Sequence, residues 1–156
     1  MGQKVKGEVM QNLMDKDALN AFLPRVFEQV AEEFYVEACD GDTVTLRLRV
    51  GPGHLRPGGT ISGPAMFGLA DVTAYLVTLA KIGPRALAVT TNCSIDFMRK
   101  PVGGRDLLAK GRLLKLGRQL SISDVLLYSE GDDRLVARAS LTYSIPPSGS
   151  AAAKDF

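Results

Sequence analysis

Between Ser62 and Gly83 the chain runs SGPAMFGLADVTAYLVTLAKIG, and this segment constrains the fold more than any other. Ser62 is a good N-cap, Pro64 suits a first helical turn, and Gly83-Pro84 is a stop signal. Between Ala65 and Ala80 the polar side chains are Asp71, Thr73, Tyr75 and Thr78. A helix that is apolar on nearly every side is expected to be buried on nearly every side. Asp71, at the centre, argues against a membrane span, because a carboxylate there costs about 2.5–3.5 kcal/mol on insertion scales. Gly63, Pro64 and Gly68 also shorten the clean run below the roughly 20 apolar residues a span requires.

Upstream, Leu19, Phe22, Leu23, Val26, Phe27, Val30, Ala31 and Phe34 recur at three- and four-residue steps. That spacing predicts an amphipathic helix over residues 15–34, with a kink or restart at Pro24. Phe34–Cys39 and Thr43–Val50 read as strands joined by Asp40-Gly41-Asp42, a hairpin turn. In the second strand Val44, Leu46, Leu48 and Val50 alternate with Thr45, Arg47 and Arg49, so one face is buried and one is wet. After the long helix, Leu87–Arg99, Leu107–Leu116, Leu120–Ser129 and Leu135–Ile145 are strands with short connections, expected as antiparallel neighbours in succession. The fold class is therefore α+β: one long buried helix wrapped by an antiparallel sheet, with an extra N-terminal helix. A single sheet covers one side of that helix. A second copy of the chain is the simplest cover for the other, which predicts at least a two-fold dimer.

A length of 156 residues fits one domain with a sizeable core. We expect a flexible N-terminus over 1–14, the domain over 15–146 and a disordered Pro/Gly/Ser/Ala-rich tail over 147–156. Nineteen Lys+Arg against seventeen Asp+Glu leave +2, too little for a nucleic-acid footprint. One histidine and two scattered cysteines exclude a structural zinc site, and any imidazole-dependent triad would have to run through His54. Cys39 and Cys93 form no disulfide pattern, and MGQKVKGEVMQ has neither a secretory h-region nor, with Lys6, a myristoylation signal. A cytoplasmic protein is the expectation.

An unpaired buried carboxylate is costly, so Asp71 needs a hydrogen-bonding partner, a raised pKa or a role. A structural bond to a neighbouring Thr, Tyr or peptide group is one solution; catalysis is the other. Ser62 and Gly63 sit at the helix start, where free N–H groups and the positive end of the macrodipole collect, the ingredients of an oxyanion site. Gly63 has no side chain to obstruct an approaching carbonyl. Asp71 lies eight residues on, roughly 12 Å along the axis at 1.5 Å per residue, too far for one carbonyl to touch both. If they cooperate, Gly63 of one subunit faces Asp71 of another, and the site is composite.

RPGGTISGPAMFGLAD, then VTTNCSIDFMRKP, then LLKLGRQLSISDVLLYSEGDDRLVARASLTYSI resembles the hotdog-fold acyl-CoA thioesterases of the phenylacetate and 4-hydroxybenzoyl-CoA type, over about residues 35–146. The resemblance implies a long helix inside a curved antiparallel sheet, and dimers that commonly pair into tetramers. It also implies acyl-CoA as substrate and no cofactor beyond the CoA it carries. Leu69-Ala70-Asp71 matches the family's acid in its context, and Gly63 matches the glycine whose N–H polarises the thioester carbonyl. The family's His-Gly-Gly opening is Ser62-Gly63-Pro64 here, and an Asn often found about six residues before the histidine falls on Arg56. Ser62 is either a hydrogen-bond donor to the carbonyl or a plain N-cap. Asp71 would act as general base for water or attack the thioester directly.

Thr91 and Asn92, on opposite faces of a strand expected near the helix, are candidate second contacts, one of which points at the site. Arg99, Lys100, Lys115 and Arg118 cluster at strand ends and turns, which suits contacts to the CoA phosphates. His54 sits in a Gly/Pro loop with no acid near it in sequence and reads as structural. A non-catalytic acyl-CoA-binding dimer is the alternative on the same fold. A dehydratase would need a histidine paired with an acid, and His54 is not placed for that.

Overall fold

The computed structural model describes residues 11–147. In chain order it contains α1 (Lys16–Val26), β1 (Phe34–Asp40), β2 (Thr43–Leu48), α2 (Gly63–Ile82), β3 (Val89–Phe97), β4 (Leu107–Leu116), β5 (Leu120–Ser129) and β6 (Leu135–Ser144). The strands make one antiparallel sheet in the order β1-β2-β4-β5-β6-β3. The helix α2 lies against its inner face, the hotdog arrangement expected from the resemblance.

The alternating strands supply that face. Leu46 and Leu48 of β2, Leu107 and Ala109 of β4, Val125 and Leu127 of β5 and Leu141 of β6 are all buried against Leu69, Leu76 and Leu79 of α2 in one core. At Gly111 of β4 helix and sheet approach closely: a Cβ there would stand 2.7 Å from Thr73 Cγ2 and 2.8 Å from Val77 Cγ2. The hydroxyls carried into this core are satisfied locally. Thr73 Oγ1 donates to the Leu69 carbonyl at 2.6 Å, and Thr78 Oγ1 lies 2.8 Å from Ser121 Oγ of β5.

By length and composition α2 could cross a membrane, but 67% of its most apolar 18-residue window is buried inside this fold, which accounts for its composition. From Thr73 to Lys81 every residue is buried within the chain itself. The uncovered part is the N-terminal half, where Pro64, Phe67, Gly68 and Asp71, one stripe at i, i+3, i+4 and i+7, are exposed or half-buried. Among the described residues, the uncovered face is therefore confined to one half of the helix.

Three expectations are corrected. The N-terminal helix ends at Val26 rather than continuing to residue 34. Pro24 falls within its last turn, and Phe27 leaves the helical region at φ −125°, ψ 61°, before a 3-10 turn over Glu28–Val30. Second, β3 is not beside β4. The segment 98–106 is long enough to cross the end of the sheet, and β3 pairs instead with β6 as an edge strand. Third, the described end of the 1–14 stretch is packed: Leu13 and Met14 N–H groups donate to the Ala80 carbonyl at 2.7 and 3.2 Å, and Met14 is buried. The cause lies in α2. The helical partner of Ala80 would be residue 84, which is Pro84 and has no N–H, so a helix-end carbonyl is left for another donor. The rest of the expected flexible N-terminus (1–10) and of the tail (148–156) lies outside the described residues.

Candidate active site

The two ends of the candidate site are built by α2. At its start Ser62 is the N-cap, extended at φ −72°, ψ 153°, with Oγ accepting from Ala65 N–H at 3.2 Å. The Met66 N–H is taken by the Ser62 carbonyl at 3.1 Å, and Pro64 has none. Among the described residues this leaves Gly63 N–H as the one first-turn donor without an acceptor. The sequence expectation of a donor at this position thus becomes a specific one: three neighbours are used up or lacking, and Gly63 remains.

The loop before the helix is fixed by His54. Its Nδ1 accepts from Gly51 N–H at 2.8 Å, its Nε2 lies 3.2 Å from a Glu33 carboxylate oxygen, and its carbonyl accepts from Ser62 N–H at 2.8 Å. Both ring nitrogens are occupied in holding the entry to α2, the structural role expected of it. The acid absent from its sequence neighbourhood is supplied by Glu33, from the turn before β1.

Two turns along, Asp71 is half-buried. The Tyr143 hydroxyl of β6 donates to Asp71 Oδ1 at 2.7 Å and lies 2.9 Å from the Asp71 carbonyl oxygen. Thr90 Oγ1 of β3 donates to the same Oδ1. Among the described residues no group bonds Oδ2. Around the acid, Tyr75 is buried with its hydroxyl on the Ala86 carbonyl at 3.0 Å, its phenol pushed up to about 12 by burial. The Cys93 thiol is raised by burial and then by the Asp71 charge. The Tyr143 phenol is held far above the ordinary tyrosine range, chiefly by burial and next by the neighbouring carboxylate.

The partner on β3 is thus Thr90, not Thr91 or Asn92, which are exposed; Thr91 Oγ1 bonds the Thr142 carbonyl at 3.3 Å. A register shift between Thr90 and Asn92 explains the difference. With Thr91 as the extra residue, Thr90 faces the helix on an even number and Cys93 and Ile95 face it on odd ones, so strict alternation fails at this point. Tyr143 gave no signal of its own in the sequence.

Arg99 and Lys100 line a groove of about 600 Å³ at the head of α2, together with Arg56, Ile61, Gly63, Met66, Phe97 and Met98. Apolar walls, three cations and Gly63 therefore share one opening. Lys115 and Arg118 line a separate groove at the β4–β5 turn and are not brought to this one.

Known proteins with this architecture share more than the sheet. The family profile described as thioesterase superfamily matches residues 58–142, more than half of the chain and the whole span from the entry loop of α2 to β6. The chain belongs to the thioesterase superfamily. A candidate thioesterase of Silicibacter sp. TM1040 is 56% identical, covering 90% of this chain and 97% of that one with a TM-score of 0.84. A point mutant of the phenylacetic acid degradation protein PaaI of Thermus thermophilus is 25% identical over 78% of this chain and 99% of its own, TM-score 0.65. A candidate esterase of Pseudomonas aeruginosa is 31% identical over 104 residues, 66% of this chain and 75% of that protein. Thioester hydrolysis is the activity this superfamily membership supports in general.

Proposed function

We propose that this thioesterase-superfamily chain hydrolyses acyl-CoA to the free acid and CoA, at sites shared between two copies. The observation that carries the reading is the pair of unspent groups on α2. Among the described residues, Asp71 has one oxygen anchored and the other free, and Gly63 has the one free N–H at the helix start. A carboxylate of this kind can take a proton from water as the water attacks, or attack the carbonyl itself to give an anhydride that water then opens. In either route the thioester carbonyl oxygen gains negative charge, and an N–H at a helix N-terminus is placed to receive it. In the first route the CoA thiolate leaves with the proton that Asp71 took from the water; in the second it leaves as the anhydride forms and takes a proton from solvent, and the water that opens the anhydride gives one back. Ser62 Oγ, which accepts from Ala65, still has its own proton and can donate it to the same oxygen.

The separation of roughly 12 Å within one chain requires the two groups to come from different copies. Support for a dimer lies in the face between them. The exposed stripe on α2 adjoins the edge strand β3, and Phe67, Val89, Phe97 and Met98 are each 40–55% exposed there. A long edge strand with apolar neighbours is a template for pairing. Pairing of such dimers into tetramers is part of the proposal. Arg99 and Lys100, with Arg56, are the phosphate contacts this reading favours; Lys115, Arg118, Thr91 and Asn92 do not line this groove. No cofactor is called for beyond the CoA of the substrate. The two cysteines, both unpaired, suit the reducing cytoplasm.

The test is thiol release across short-chain, long-chain and aromatic acyl-CoAs, on wild type and Asp71→Asn side by side. We expect steady release by wild type on at least one class and its near-complete loss in Asp71→Asn. Tight binding with no turnover of any acyl-CoA would sink hydrolysis and leave a binding dimer.

A further inference from the structure

With Asp71 taken as the acid, as proposed above, we infer that Tyr143 is a positioning residue that decides which carboxylate oxygen reacts, by tying Oδ1 to the helix so that Oδ2 alone faces the substrate. An aspartate on a helix is not held by its own geometry: its terminal torsion is broad and roughly two-fold, so the two oxygens exchange easily unless something outside holds them. Two hydroxyls do so here, and both choose the same oxygen. Of the two, Tyr143 is the more constraining. Its hydroxyl sits within hydrogen-bond reach of both Oδ1 at 2.7 Å and the main-chain oxygen of Asp71 at 2.9 Å, so one group spans side chain and backbone of the same residue.

The anchor is itself rigid. Tyr143 is 4% exposed, its ring lies 6.0 Å from that of Tyr75, and it is the direct cross-strand partner of Thr90. The sheet thus delivers both hydroxyls side by side from neighbouring strands, while α2 delivers the acid. Burial and the adjacent negative charge also favour the protonated phenol, the form that donates to Asp71. A carboxylate with one oxygen engaged by two donors presents the lone pairs of the other in a fixed direction, the condition for an attacking water or carbonyl to be met in line.

Replacing Tyr143 by Phe removes one oxygen atom and leaves the ring. Ground-state binding of acyl-CoA, set at the cationic groove, should not change. The share of Asp71 side chains in the productive orientation should fall. We expect kcat to drop roughly 10- to 100-fold with KM held within about twofold, the pattern of an orientation lost at the reacting group. The same substitution in an Asp71→Asn background should remove little further, because Tyr143 acts through Asp71. An unchanged kcat in folded Tyr143→Phe overturns the role, and so does a loss in the Asp71→Asn background as large as in wild type. Thermal melts report whether the variant is folded. If it is not, Thr90→Val answers the question: with Tyr143 still on Oδ1 it should keep about a tenth of kcat or more, whereas a loss as deep as that of Asp71→Asn moves the anchor to Thr90. No release by wild type on any acyl-CoA removes the reading of Asp71 and the role of Tyr143 together. Release that Tyr143→Phe leaves untouched removes the role of Tyr143 alone.

Discussion

The peptide N–H of Gly63 can be deleted without deleting the helix. Proline is well tolerated at the first helical position, and Ser62 already has the extended backbone that a residue before proline requires. If that N–H receives the developing oxyanion, Gly63→Pro should lower kcat by roughly 10²–10³, the usual cost of one such donor, with the circular dichroism spectrum unchanged. Gly63→Ala retains the N–H, and its Cβ would meet the Phe97 ring at 3.5 Å, an ordinary contact. It should therefore fold and lose less than Gly63→Pro. A smaller loss in Gly63→Pro than in Gly63→Ala would show that space, not the N–H, matters there. Asp71 and Gly63 are visible from sequence because each breaks a local pattern, a charge inside an apolar helix and a glycine directly behind a cap. Thr90 and Tyr143 break none. Thr90 is misplaced by one residue through the bulge at Thr91, and Tyr143 is 72 residues from Asp71 in the chain, meeting it only because the sheet places β6 beside β3.

Among the elements, the contact of α2 with β4 is set by what is missing from Gly111. A methyl group there would overlap both Thr73 and Val77 on the helix, and each of these is held in turn, Thr73 by its bond to the Leu69 carbonyl and Val77 by full burial. Gly111→Ala should thus overpack the core and lower stability by about 1–3 kcal/mol, read as a fall in the urea midpoint. A midpoint equal to wild type would mean that the helix can move off the sheet at no cost. Gly111 was not legible beforehand, since in the sequence it is one more residue in an alternating strand. The existence and type of α2, the β1–β2 hairpin and the β4–β5 pair were legible, because periodicity and turn residues act locally. The order of the strands was not. Short connections predict neighbours, and the crossover after β3 is decided by closure of the sheet around the helix, a property of the assembled layer. The end of α1 likewise falls at Phe27, whose backbone leaves the helical region, although the apolar periodicity runs on to Phe34.

At the scale of the whole molecule, the sheet leaves one half of α2 uncovered, and it is the half that carries Gly63, Phe67 and Asp71. If the site is shared as proposed, chain and activity are linked: a lone copy has the acid and the donor roughly 12 Å apart on one rod, and a second, antiparallel rod brings them together. Two dead variants can test this, since each retains what the other lacks. In a dimer of one Asp71→Asn chain and one Gly63→Pro chain, one site carries both defects and the other carries neither. Random pairing makes half the dimers mixed, and each has one of its two sites intact, so the mixture should recover about a quarter of wild-type activity per chain. Recovery should appear only after subunits have been allowed to exchange, and should be absent when the two variants are cross-linked as separate dimers before mixing. If instead acid and donor act within one chain, no mixture will exceed the sum of its parents, whatever the pairing.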